Sequence, residues 1–177
     1  RRTILNHRDC KDAHPEHQEN PVTEPHPLPP PNPQAFINRP LSTMEYYHAC
    51  IGSSPHTLES AREIVFILEG EGNPDRQEWQ QAVDQVVHHN PGTRLRVEGR
   101  RLQAKWQSDG APPRLRMVEN CLWDGRSDAG SDFLYREALS LDHGPVMELI
   151  IATGVKTRVI VRVLHAAMDG MGVMHFY

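Results

Sequence analysis

Residues 145–170 read "PVMELIIATGVKTRVIVRVLHAAMDG". Two runs rich in β-branched residues flank Gly154, and only a short connection separates them. That pattern predicts an antiparallel strand pair. Side chains alternate between the faces of a strand, so Val159, Val161, Val163 and His165 form one row. A histidine ending that row emerges at the rim of the sheet, where its solvation is partial. A neutral ring nitrogen there is free to accept a proton, which is what a general base needs. Asp169 comes four residues later, so the chain must turn before the acid approaches the ring. Gly170 relieves the backbone at that turn. Asp169 then pairs with an arginine and holds the loop, or else orients the imidazole as in a catalytic triad.

Working upstream, the pattern switches between helix and strand. "LSTMEYYHAC" carries a capping box, with Ser42 as N-cap and Glu45 three residues on, and predicts a helix over 43–51. Leu41 and Tyr46 stand where a hydrophobic staple would. "AREIVFILEG" predicts a strand over 62–69. "EGNPD" is a turn, with Pro74 at the first position of the next helix. Trp79, Ala82, Val83, Val86 and Val87 give that helix one buried face. His88 and His89 at its end suit the helix dipole. Short strands are expected over 94–98, around Leu102, Ala104 and Trp106, and over 113–118. A loop, "CLWDGRSDAGS", and a helix over 132–139 precede the strand pair. Helices mixed with such hairpins predict an α/β fold, an α+β sandwich with a mixed sheet flanked by helices.

Residues 1–38 differ in kind. Nine of the 15 prolines lie within the first 40 residues, including the run "PHPLPPPNP" at 25–33. Apolar residues there are few and without period, which predicts a disordered leader or linker, with residues 39–177 as the folded subdomain. Histidines 7, 14, 17 and 26 and Cys10 show no metal-ligand spacing, so no metal site is expected.

Charge and composition exclude several function classes. The 177 residues carry 19 basic and 23 acidic side chains, a net −4, with no basic run for nucleic acid. No apolar stretch is long enough to span a membrane. The chain begins with two arginines rather than Met, and no apolar core follows them, which argues against a secretion signal and for a processed or excised piece. Three widely spaced cysteines, Cys10, Cys50 and Cys121, predict ordinary thiols in a reducing, cytoplasmic compartment. Ser53, Ser54 and Ser127 lack a nucleophile-elbow context, and "GEGNPD" lacks the Gly-Lys-Ser/Thr of a phosphate loop. Trp79 and Trp106 are expected in the core, and His175 packed or exposed.

"LHAAMDGMG" resembles the H-H-x-x-x-D-G signature of the chloramphenicol-acetyltransferase-like superfamily, which includes the condensation domains of nonribosomal peptide synthetases and polyketide-associated acyltransferases. "RPLSTMEYYHA" resembles the opening of condensation-type domains. "VVHHNPGTRLRV" is similar to the family's Arg-His-x-x-Leu-Arg-Thr element. "LSLDHGPVMELIIA" is similar to its Asp-x-x-x-Gly-Pro-Leu segment. All four occur in the family's order. The resemblance implies that His165 is the base that deprotonates an amine or hydroxyl, which then attacks an acyl thioester of coenzyme A or of a carrier-protein phosphopantetheine arm. It implies that Asp169 pairs with Arg94, or alternatively Arg96, and that Gly170 is the signature glycine, with a backbone amide near it for the oxyanion. No bound cofactor is implied. Leu164 replaces the first histidine of the signature, and the chain ends seven residues after Gly170. On that reading the chain is an N-terminal half whose C-terminal subdomain is absent, and its exposed apolar surface is covered by that half or by self-association. The alternative is an inactive carrier-protein docking or scaffolding module of the same fold.

Overall fold

The computed structural model describes residues 36–51, 63–100 and 103–174, which all fall in the unit Pro31–Tyr177. Residues 1–35, and with them the histidines and Cys10 of the proline-rich segment, lie outside the described residues. So do Ser53, Ser54, Leu102 and His175.

The strand pair is where the sequence puts it. Strand β6 (Met147–Gly154) runs antiparallel to β7 (Thr157–Leu164) through the two-residue turn Val155-Lys156, with Met147 opposite Val163 and Ala152 opposite Arg158. They form the centre of a four-stranded sheet in the order β2-β7-β6-β5, with β2 at Glu63–Gly70 and β5 at Arg114–Cys121. β2 pairs antiparallel with β7 and β5 parallel with β6, so the sheet is mixed. A second sheet, in the order β1-β4-β3, joins three short strands, β1 (Asn38–Pro40), β3 (Arg96–Glu98) and β4 (Lys105–Gln107). Ile37, just before β1, already packs on the core and donates its N–H to the Ser108 hydroxyl at 2.8 Å.

Helix α1 (Thr43–Ile51) begins on the expected capping box: Ser42 N–H donates to Glu45 Oε2 at 2.6 Å, and Glu45 N–H donates to Ser42 Oγ at 3.3 Å. Helix α2 (Arg76–His89) starts two residues later than expected. Its N-cap is Asp75, whose Oδ1 accepts from the Gln77 and Glu78 N–H groups, and Pro74 lies before the cap. The capping carboxylate satisfies two of the helix's free N–H groups, which a proline cannot do. The expected strand at 94–98 is also shortened. A 3₁₀ turn over Pro91–Arg94 comes first, and pairing begins at Arg96.

The helix expected over 132–139 does not form. Phe133 and Leu134 are buried against one face of the large sheet, and the carbonyls around them are already taken. Arg116 donates to the carbonyls of Phe133 (2.7 Å) and Leu134 (3.3 Å), Arg162 to those of Leu134 and Glu137, and Arg114 to that of Ala138. A helix needs those carbonyls for its own N–H groups. The segment stays irregular because guanidinium groups of β5 and β7 outcompete the local bonds; a hydrogen bond to a charged group is roughly twice as strong as a neutral one.

These arginines share the face with two acids. Glu148 and Arg162 are opposite each other in the register and fully buried, joined at 2.6 Å, and Arg162 also holds Glu63 at 2.8 and 2.9 Å. The other face carries Val159, Val161 and Val163, and α2 covers part of it. A third cluster ties the small sheet and α1 to the end of β7: Trp106, Leu95, Val146, Leu164 and Ala166, with Leu41 and Ala49 against them. Trp106 is fully buried and its Nε1 has no partner among the described residues. An unmade hydrogen bond of this kind costs about 1–3 kcal/mol. Each buried aliphatic side chain around it returns about 1.5–3 kcal/mol, so the cluster holds together despite the orphaned N–H.

Candidate functional site

Strand β7 ends at Leu164, and His165 opens a tight turn in which the Ala167 and Met168 N–H groups point back to the Leu164 carbonyl (2.9 and 3.3 Å). The flanking Leu164 and Ala166 are buried in the cluster with Trp106 and anchor this turn. His165 itself is half-buried. Its Nδ1 is enclosed and has no hydrogen-bond partner among the described residues. Its ring stacks on that of His48 in α1, with centroids 4.0 Å apart and planes 18° from parallel.

Asp169 lies in the same turn and is exposed. It caps the short helix α3 (Gly170–Met174): its Oδ1 accepts from the Gly172 N–H at 2.7 Å and its carbonyl from the Val173 N–H at 3.1 Å. Val173 is fully buried against Met147, Val161 and Val163, which docks α3 on the sheet. The expected pairing of Asp169 with Arg94 or Arg96 is absent among the described residues. Arg94 Nε donates to the Gly110 carbonyl at 3.0 Å, and Arg96 makes a two-pronged contact with Asp109 at 2.6 and 3.0 Å. That contact holds the Asp109 carboxyl below its usual range and raises the Arg96 guanidinium. Both arginines are committed to the segment that follows β4, so helix capping fixes the turn that an ion pair was expected to hold.

The turn makes no steric demand for glycine at position 170. A side chain added at Gly170 would meet only the Phe66 ring, at an ordinary 3.8 Å. At Gly172 an added carbon would lie 2.7 Å from Met168 Cγ and 3.3 Å from Asp169 Oδ1, so a side chain there would have to displace that of Met168. Gly144, in the "DHGPV" segment ahead of β6, is constrained more tightly: its φ is +79° and an added carbon would lie 2.8 Å from the Ala111 backbone nitrogen.

The turn thus brings together His165, Asp169 and Gly170 and leaves Arg94 apart. Sequence reading missed His48, which no local pattern marks, since its partner lies in a turn remote in sequence. A separate concave feature lies under α2, an apolar cavity of about 480 Å³ lined by Leu68, Trp79, Val83, Val86, Leu149 and Val161 among others. Trp79 is therefore a half-buried cavity wall, while Trp106 is core as expected. Among the described residues there is no cluster of three metal-ligating side chains and no helix long and apolar enough to cross a membrane. Cys50 and Cys121 are free thiols.

No protein-family profile and no curated protein matches this chain. Solved structures do. The starter condensation domain of rhizomide synthetase superposes with a TM-score of 0.64 at 15% identity, covering 78% of this chain and 35% of that one. A substituted form of that domain in complex with C8-CoA and Leu-SNAC gives 0.64 at 14% identity, covering 79% and 33%. The epimerization domain from the third module of tyrocidine synthetase B gives 0.59 at 14% identity, covering 73% and 30%. The chain has the fold of these domains, the chloramphenicol-acetyltransferase-like fold, and spans about a third of their length.

Proposed function

We propose that this chain is the N-terminal portion of a condensation-type acyltransferase, with His165 as its general base. The acyl donor is a thioester of coenzyme A or of a carrier-protein phosphopantetheine arm, and the acceptor is an amine or hydroxyl. The observation that carries this reading is an imidazole set at the end of the central strand, half-buried, in a turn that a capped helix holds. In the proposed step the His165 ring takes the acceptor's proton as its nitrogen or oxygen attacks the thioester carbonyl. The C–S bond then breaks, and the imidazolium returns the proton to the leaving thiolate. Asp169 supports the base by capping α3, not by pairing with Arg94. The thioester is substrate, so no resident cofactor is needed, and the free cysteines fit a cytoplasmic enzyme. Met44 and Tyr47 on α1 and Met171 and Met174 on α3 are exposed large apolar side chains on the two helices beside His165. They suit a face that a second subdomain covers.

One observation favours the alternative, a carrier-protein docking module without chemistry. A base acting through one ring nitrogen keeps its own proton on the other, and the enclosed Nδ1 has no acceptor among the described residues. The two readings part in a transfer assay. Joined to a C-terminal subdomain of the same fold, the chain is expected to transfer an acyl group from a loaded carrier or acyl-coenzyme A, and His165→Ala to lower the rate about 10²–10⁴-fold. Full activity in that variant removes the base assignment. Tight carrier docking with no transfer establishes the module instead.

A further inference from the structure

A histidine that works as a base is ordinarily aimed by a hydrogen bond on its second nitrogen. His165 has none there among the described residues: Nδ1 is enclosed and unpartnered. Asp169, the acid of the same turn, is engaged with the Gly172 N–H. Leu164, where the resembling signature has a histidine, is 5% exposed and locked in the cluster with Trp106. A second imidazole nevertheless lies against His165, and it comes from a different element. His48 offers its face at 4.0 Å and 18°. Its own placement is firm, because α1 is capped at Ser42 and Glu45 and its Ala49, with Leu41 just ahead of the helix, packs on the cluster of Leu164 and Ala166.

From this we infer that His48 is the positioning residue of the site: its ring face, rather than a hydrogen bond to Nδ1, sets the plane of the His165 imidazole. The role needs a flat aromatic surface at position 48 and no proton chemistry there. The stacking claim stands on the ring geometry alone; its catalytic consequence rests on the function proposed above.

The test compares His48→Phe and His48→Ala in the full chain, following the His165 ring resonances by NMR and the acyl-transfer rate after joining to a C-terminal subdomain. In the parent, a ring stacked on another is expected to show upfield-shifted carbon-bound protons. His48→Phe keeps that shift and the transfer rate. His48→Ala loses the shift and slows transfer by about 10²-fold, the effect of roughly 1 Å of misplacement. His165 resonances unmoved in His48→Ala overturn the stacking. A His48→Phe variant that keeps the upfield shift but loses transfer also overturns the inference, since His48 would then take part in the chemistry. Shifts that respond as expected with no transfer in any form, the parent included, leave the stack standing and remove the proposed function. Should His48→Ala fail to fold, His48→Gln, which removes the ring but keeps a side chain of some length, takes its place with the same outcomes.

Discussion

Glu45 serves two groups at once. One oxygen accepts from Arg39 at 2.6 Å, and the other from Arg39 at 2.9 Å and from the Ser42 N–H at 2.6 Å. The Arg39 guanidinium, more than the cap, brings the carboxyl down to about 2 from its ordinary 4.5. A value lower in the folded chain than in the unfolded one means the contribution is whole above about pH 4.5 and fades as pH falls toward 2. The Arg39 side chain is half-exposed and solvent screens the pair, so the contribution is at most about 1 kcal/mol. Glu45→Gln is therefore expected to flatten the acid dependence of stability within that window. The check is the urea midpoint measured from pH 5 downward, and parallel curves for parent and variant would refute the assignment. The capping box itself was readable, because cap and partner lie three residues apart. Arg39 as partner was not, because contact with it depends on how the chain enters α1 from β1.

At the scale of elements, the loop over 121–140 is held down by arginines. Arg158 donates to the carbonyls of Trp123 (2.6 Å) and Asp124 (3.1 Å), and Arg114, Arg116 and Arg162 take those further on. Arg162 is the centre, since it also neutralises Glu148 and Glu63. Arg162→Met removes the charge but keeps much of the bulk, and leaves Glu148 fully buried with less compensation. Breaking one side of a buried pair costs about 3–5 kcal/mol. Loss of stability of that size in urea unfolding is expected, and loss below about 1 kcal/mol would mean that Arg114 and Arg116 suffice. The alternation of "TRVIVRVL" placed Arg158 and Arg162 on one face. What the alternation could not say is that this face is covered. The acid that permits burial, Glu148, is set opposite Arg162 only by the register of the hairpin. For the same reason "SDFLYREALS" reads as a helix and is not one. Its local propensity is real, but its carbonyls meet stronger donors from strands remote in sequence.

For the whole molecule, the face beside His165 is the feature with consequences. Met171 and Met174 are 65% and 58% exposed on a helix only five residues long. Apolar groups so placed favour association. Met171→Ser with Met174→Ser is expected to reduce self-association of the chain, read as a lower weight-average mass in sedimentation at high concentration. An unchanged mass would show that this face stays uncovered without penalty.

Local chemistry decided the start of α1, the central hairpin and the position of His165 just past the end of its strand. Those features depend on residues a few positions apart, and alternation, capping and turn length act at that range. The tertiary structure alone decided that Arg94 turns to Gly110 and that His48 meets His165. Such contacts join groups that are strangers along the chain, and only the packing of Leu164, Ala166 and Trp106 brings their elements within reach.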